Sequence, residues 1–447
     1  MLVPHNMKGQ MIGVLGLGRS GLAAVAALKA AGAHVFAFDD VKAQQDIPQI
    51  TLTKWRDWPW NELEAMVISP GIPHNYPTPH PAAAHANLHK ISIISEVELA
   101  LRAKPKARLV AVTGTNGKST TTALIGHCLQ TAKYPVAIGG NLGNAACSLD
   151  DPGEHGTLVL ELSSYQLETT PSLKTSISIL LNISPDHLDR HGGMDGYVAA
   201  KALILERIEK SGLAIIGAGD EHVKNLAKVT AARGIRTMIA SPDLAPVDQK
   251  ASTSLVGTHN AENAAATLAL YDLGLDDQMI KRGISSFTNL PHRLQRVASC
   301  GKVQFINDSK ATNGIAAAKA LTSFNDIYWV AGGLAKQEGL SPTMPHLGAV
   351  KKVYLIGTAA PAFATSLSGI CPVVICDNLE QATRAAFDDA SADPDGGTIL
   401  LAPAAASFDQ FPNFGARGDA FAALAQALCA AGHAEHNATA RRRDNHA

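Results

Sequence analysis

Residues 113–120 read Thr-Gly-Thr-Asn-Gly-Lys-Ser-Thr. They lie between an apolar run, Leu109 to Val112, that reads as a buried strand, and Thr121 to Leu129, which reads as the start of a helix. A Gly-rich turn in that setting aims backbone N–H groups inward as an anion cradle. Gly114, Thr115, Asn116 and Gly117 would form the cradle. Lys118 adds a point charge for β- and γ-phosphate oxygens, and Ser119, followed by Thr120, brings a hydroxyl to Mg²⁺. The first glycine of the usual pattern would fall at Val112. The Gly-Lys-Ser-Thr ending still favours a nucleoside triphosphate over a plain turn.

A second loop, Gly16-Leu17-Gly18-Arg19-Ser20-Gly21, follows the strand Met11 to Leu15 and opens a helix. Asp39 and Asp40 end the next strand, where an acid could meet a ribose. Taken alone, this predicts an NAD-dependent dehydrogenase. The physics is broader, since any nucleotide diphosphate can rest on such a helix N-terminus. The separate P-loop downstream implies that this first loop holds something other than ATP.

Glu161 ends an apolar strand, where a carboxylate faces the ligand crevice of an open α/β sheet and could share Mg²⁺ with Ser119. Asn182 to His191 follow another strand and crowd charged and imidazole groups into one loop. His187 and His191 are four apart, but Pro185 precedes them and no Glu flanks the first, which argues against zinc. Lys201, on a helix, reads by default as solvated. Asn260 and Asn263 fall on one helix face, with N-capping the plain alternative for Asn260. Three further strand ends carry Lys310, Lys336 and Ser407, cationic and hydroxyl groups suited to an anionic substrate.

Alternating apolar runs and amphipathic helices position these groups and predict parallel sheets with crossover helices. Further strands are expected at Val35–Phe38, Ala65–Ile68, Leu158–Leu162, Ile177–Leu181, Leu213–Ile216, Val303–Ile306, Ile327–Val330, Val353–Ile356, Val373–Ile375 and Ile399–Leu401, with a helix from Ser20 to Ala31. A chain of 447 residues calls for two or three domains. Their expected ranges are 1–95, 96–291 and 292–447, with Pro291 as a break. A net charge of −1 gives no basic excess for nucleic acid. No apolar run approaches a membrane span, and Met1 to Gln10 carry no secretory core, so a cytoplasmic protein is expected; it is also expected to be a monomer. The six cysteines show no paired short spacing and read as reduced, buried thiols. From Ala430 on, the Ala-, His- and Arg-rich tail reads as a solvated end.

In order, the chain carries G-T-N-G-K-S-T, L-E-L-S-S, D-H-L-D-R, G-x-H-N-x-x-N, P-H-R, N-D-S-K-A-T-N and S-F-D-Q-F. This series resembles the Mur ligase family over essentially the whole length. The resemblance implies an α/β fold of three domains: a Rossmann-like first domain for a UDP-linked precursor, a central P-loop ATPase-like parallel sheet, and a Rossmann-like C-terminal domain completing the amino-acid site. The early S-P-G-I-P and N-D-S-K-A-T-N imply an ATP-dependent amide ligase acting on UDP-N-acetylmuramoyl-L-alanine and D-glutamate. By the same resemblance, residues 114–120, Asn260, Arg293 and Asp308 would contact ATP. Ser119, Glu161, His187 and a carbamylated Lys201 would hold two Mg²⁺ ions, with Lys118, His187 and Lys201 as the catalytic group. Gly18, Ser20, Asp39, Gly71 and Asn141 would meet the precursor. Thr312, Lys310, Lys336, Ser407 and Phe414 would face D-glutamate. Asp39-Asp40 and Leu334-Ala335 depart from the family pattern.

Overall fold

The computed structural model describes residues 1–41, 52–245, 258–335 and 339–444, the side chains of 258–260 and 432–444 excepted. The chain forms two compact units. One holds Met1–Ala251 and Asn260–Phe287, and the other Ser252–His259 and Thr288–Ala447.

The first unit opens with β1 (Met11–Leu15), α1 (Arg19–Ala30), β2 (His34–Phe38), β3 (Leu63–Ile68), α2 (Pro81–Leu88) and β4 (Ser92–Ile94). These strands make an all-parallel sheet in the order β2-β1-β3-β4. Next come α3 (Glu96–Arg102), β5 (Arg108–Thr113), α4 (Lys118–Thr131), β6 (Val136–Gly140), β7 (Thr157–Glu161), α5 (Ser164–Glu168), β8 (Thr175–Leu180), α6 (Met194–Glu206), β9 (Ile208–Gly217), α7 (Glu221–Ala232) and β10 (Arg236–Ala240). The six strands are parallel in the order β10-β9-β8-β5-β7-β6. Helices on both faces explain why β5 and β7 read as unbroken apolar runs. Helices α8 (Thr258–Ala265), α9 (Ala269–Asp272) and α10 (Asp277–Ser286) close the unit. Ile12 and Val14 of the first sheet and Leu158, Leu160 and Ala214 of the second join one hydrophobic core.

The second unit contains β11 (Gln295–Cys300), β12 (Val303–Asn307), α11 (Gly314–Leu321), β13 (Ile327–Gly332), β14 (Leu334–Ala335), β15 (Val350–Ile356), α12 (Ala360–Leu367), β16 (Val373–Ile375), α13 (Leu379–Ala392), β17 (Gly397–Leu401), β18 (Ala405–Ala406) and α14 (Phe414–Asp444). Its main sheet runs β11-β12-β17-β13-β15-β16, with only the β11 edge antiparallel.

Several expectations change. The expected strands are joined by β4, β14 and β18, too short to show a pattern, by β10 and β11, partly polar and exposed, and by β6, whose apolar run gives way to Gly139-Gly140. The Ala-, His- and Arg-rich tail from Ala430 on belongs to α14, whose backbone runs as helix to Asp444. The reading of six reduced thiols is also corrected. Cys300 on β11 and Cys429 on α14 are joined as a disulfide, while Cys128, Cys147, Cys371 and Cys376 are free. The pair lies 129 residues apart in sequence, so only the fold brings it together.

Candidate active site

The P-loop leaves the C-terminal end of β5, between β8 and β7. At this point the strand order reverses, and an open parallel sheet offers a crevice there. Gly117 caps α4 in the left-handed region at φ +86°, and a Cβ there would come within 2.3 Å of the Asn263 Oδ1. Asn263, buried on α8, accepts the Thr121 hydroxyl at 3.2 Å. One Asn of the predicted pair thus packs beneath the P-loop. Asn260 lies inside the first turn of α8, which begins at Thr258, so it is not the cap; its side chain falls outside the described residues.

Lys118 donates from Nζ to the Gly114 and Thr115 carbonyls, both at 2.8 Å. Lys201 donates to the same Gly114 carbonyl at 2.8 Å and sits over the Tyr197 ring at 4.7 Å. Its expected solvated position is wrong: the side chain is 1% exposed. Burial first, then the Lys118 charge, holds its ammonium well below the usual lysine range, against an opposing pull from Asp186 and Glu161. Composition gave no hint of this, because the signal is the three-dimensional closeness of two lysines.

Glu161, at the end of β7, is 1% exposed. Its Oε1 accepts the Asn141 amide at 2.7 Å, and its Oε2 is buried without a hydrogen-bond partner. A buried carboxylate oxygen with unused lone pairs fits a hard cation. Ser119 is buried at the head of α4. Among the described residues no three His, Cys, Asp or Glu side chains form a metal cage. The candidate donors are instead mixed, which suits Mg²⁺ shared with phosphate oxygens. His187 stands at φ +53°, half-exposed, against Asp186 at 3.6 Å and edge-on to Tyr165 at 5.7 Å.

His191, expected as a loop neighbour of His187, packs on the same Tyr165 ring but is buried. Its Nε2 pairs with the Ser164 hydroxyl at 2.9 Å and its Nδ1 with Glu168 at 3.3 Å. The ring stacks on Tyr165 at 5.1 Å. Tyr197 bonds Thr115 at 3.1 Å, tying α6 to the P-loop.

In the first sheet, Asp39 Oδ2 accepts the Leu17 N–H at 2.6 Å and Oδ1 the Val41 N–H at 2.9 Å. The carboxylate therefore braces the Gly-rich loop, while Asp40 pairs with His80 at 3.0 Å. A Cβ on Gly21 would meet the Gly16 carbonyl at 1.8 Å, so the third glycine serves helix–loop packing. Gly18 and Gly71 have open space beside them. Ser20 follows Arg19 in the first turn of α1. Arg190 donates to the Gly71 carbonyl at 3.1 Å.

The remaining site residues belong to the second unit. β12, β17 and β13 are parallel neighbours, so the loops after them share one edge. Asp308 accepts the Leu294 N–H at 3.2 Å. Burial pushes its carboxyl up to about 7, against the lowering effects of that bond and of the Arg293 charge. The Lys310 ammonium lies 4.1 Å above the Phe414 ring, and its carbonyl accepts the Thr312 N–H at 2.7 Å. Ser407 is buried. Lys336 falls outside the described residues.

Sequence reasoning passed over Arg417. This fully buried guanidinium donates to the Ser309 hydroxyl at 3.0 Å and to the Ser309 and Ala405 carbonyls at 3.0 and 3.1 Å. It ties together the loops after β12 and β17. A lone Arg in a helix leaves no signal for this in the sequence.

Residues 112–246 match the family model described as Mur ligase middle domain. The chain is 41% identical to a UDP-N-acetylmuramoylalanine–D-glutamate ligase of Rhodospirillum rubrum, over 95% of this chain and 96% of the relative. It is 42% identical to the enzyme of the same name from Paramagnetospirillum magneticum, over 94% and 97%. Among solved structures, UDP-N-acetylmuramate-alanine ligase MurC of Thermotoga maritima aligns with a TM-score of 0.58 at 19% identity, covering 94% of this chain and 99% of that one. Folylpolyglutamate synthase of Mycobacterium tuberculosis aligns at 0.54 and 17% identity, covering 72% and 93%.

Proposed function

The chain belongs to the Mur ligase family, and from that premise we propose that it joins D-glutamate to UDP-N-acetylmuramoyl-L-alanine at the expense of ATP, a step of peptidoglycan synthesis. The near-full-length identity of 41–42% to two ligases of that name carries the reading. In the reaction, a carboxylate oxygen of the precursor attacks the γ-phosphorus and ADP leaves. The D-glutamate amine then attacks the acyl phosphate carbon, phosphate departs, and the nitrogen loses a proton.

The chain's own part is positioning and charge neutralisation. The P-loop, residues 114–117, is assigned to the phosphates and Lys118 offers its charge, while Asn182 holds the loop by accepting the Thr115 N–H on its carbonyl at 2.8 Å and the Asn116 N–H on its Oδ1 at 2.9 Å. Asn260, Arg293 and Asp308 would complete the ATP site. Mg²⁺ would neutralise the phosphates, and the donors assigned to two such ions are Ser119, Glu161, His187 and Lys201. The unpartnered Glu161 Oε2 supports that assignment. The depressed basicity of Lys201 supports its carbamylation, because only a neutral amine adds CO₂. Gly18, Ser20, Asp39, Gly71 and Asn141 are assigned to the precursor. Thr312, Lys310, Lys336, Ser407 and Phe414 are assigned to D-glutamate. The reading places the enzyme in the cytoplasm, as a monomer.

Phosphate release from ATP, assayed with each muramoyl precursor and each candidate amino acid, tests the proposal. Turnover only with UDP-N-acetylmuramoyl-L-alanine and D-glutamate is expected. Turnover only with another pair, or tight NADH binding without precursor binding, overturns it.

A further inference from the structure

Arg19 is the non-glycine residue at the first position of α1, directly after the loop that Asp39 braces. Its guanidinium crosses to the central sheet and donates from Nη2 to the backbone carbonyl of Asn141 at 2.9 Å. The same Asn141 donates its side-chain amide to Glu161 Oε1 at 2.7 Å and its backbone N–H to the Glu161 carbonyl at 2.9 Å. Three bonds thus run from the first Gly-rich loop to the buried carboxylate beside the P-loop. A second observation places Arg19 against the same segment. Burial raises the Glu96 carboxyl above the usual range; opposing this are the Cys147 and Ala146 N–H groups it accepts at 3.0 and 3.3 Å, just after Asn141, and last the charge of Arg19.

We propose that Arg19 is a positioning residue that couples occupation of the first Gly-rich loop to the orientation of Glu161. A guanidinium carries five N–H donors in a planar fork. One is spent on Asn141. Arg19 is exposed at the N-terminus of α1, where an anionic diphosphate would rest, within reach of the remaining donors. A nucleotide diphosphate there fixes the guanidinium, the guanidinium fixes Asn141, and Asn141 holds Glu161 Oε1 so that Oε2 keeps one direction. Such coupling is reciprocal: each ligand must tighten the other by the same factor.

The inference rests on the proposed function, and the test separates the two. Calorimetry on the full chain measures UDP-N-acetylmuramoyl-L-alanine binding with and without Mg²⁺ and a non-hydrolysable ATP analogue, then the analogue with and without precursor. In the wild type, each ligand should tighten the other about 5- to 10-fold. In Arg19→Ala the factor should collapse to about 1, while the analogue alone binds within about 3-fold of wild type and the melting temperature is unchanged. Arg19→Lys keeps charge but loses the fork, and should recover precursor affinity without the coupling. A coupling factor retained in Arg19→Ala, or absent from the wild type, overturns the role of Arg19. A wild type that binds the analogue but not the precursor overturns the function itself.

Discussion

Lys118 and Lys201 place their ammonium nitrogens on one oxygen, the Gly114 carbonyl, each at 2.8 Å. Burial, and after it the repulsion between the two cations, depresses the basicity of Lys201. Substituting Lys118 by Ala removes the charge aimed at phosphate. Ligase turnover should fall on the order of 10²–10³-fold while the circular dichroism spectrum is kept. Full turnover in this variant would rule out the P-loop assignment.

Lys201→Ala should abolish turnover, and acetate or formate should restore part of it by filling the anionic position. Intact-mass measurement of the wild type in bicarbonate should show the added CO₂. In CO₂-free buffer the sign of the pH dependence is set by the lowered amine. Between its folded value and the usual 10.5 the unfolded chain binds the extra proton, so stability climbs as pH rises through that window and drops as pH falls. Lys201→Met should flatten that slope in a denaturant series.

Gly117→Ala should fail at the phosphate cradle. The residue sits at φ +86°, and the new Cβ would press on Asn263 Oδ1 at 2.3 Å. Left-handed strain costs about 1–2 kcal/mol, and displacement of Asn263 adds to it. Urea unfolding should register the loss, and the affinity for the ATP analogue should fall at least tenfold. Wild-type affinity would contradict the geometry.

Asp308 gives a second pH signature. Its folded carboxyl is raised from 3.8 to about 7 by burial. The stability it contributes is complete below the unfolded value and is lost as pH rises from there through about 7. Asp308→Asn should remove this decline between pH 4 and 7.5 in melting curves; an unaltered decline would assign it to another group.

Arg417→Met leaves the Ser309 and Ala405 carbonyls without their donor in a buried site. A loss of about 3–5 kcal/mol is expected from urea unfolding. Arg417→Lys should recover little, since one ammonium cannot reproduce the fork.

The Cys300–Cys429 bridge should be visible as four titratable thiols in denaturant before reduction and six after. Closing so long a loop contributes about 4–5 kcal/mol in the chain-entropy account, so reductant should lower the melting temperature, and Cys300→Ser should reproduce that shift. Six thiols before reduction would contradict the bridge.

The sequence alone determined the parallel architecture, the helix start that carries Ser119 and the strand ends beside Glu161 and Asn182, because all depend on short-range signals. Apolar runs mark strands buried on both faces, and a ligand-facing residue must stand where a strand stops. The P-loop was legible for the same reason: its glycine and lysine act within a few residues of each other. Tertiary structure alone decided what depends on distant segments meeting. Lys201 looked solvated until α6 laid it against Gly114, 87 positions away. His191 looked like a companion of His187 until the fold turned it toward Ser164 and Glu168. Arg417 and the Cys300–Cys429 pair gain their roles only when α14 packs on its sheet. A side chain's type sets what it can bond to, but burial and partners, which set its charge and its role, arise only when the sheets close.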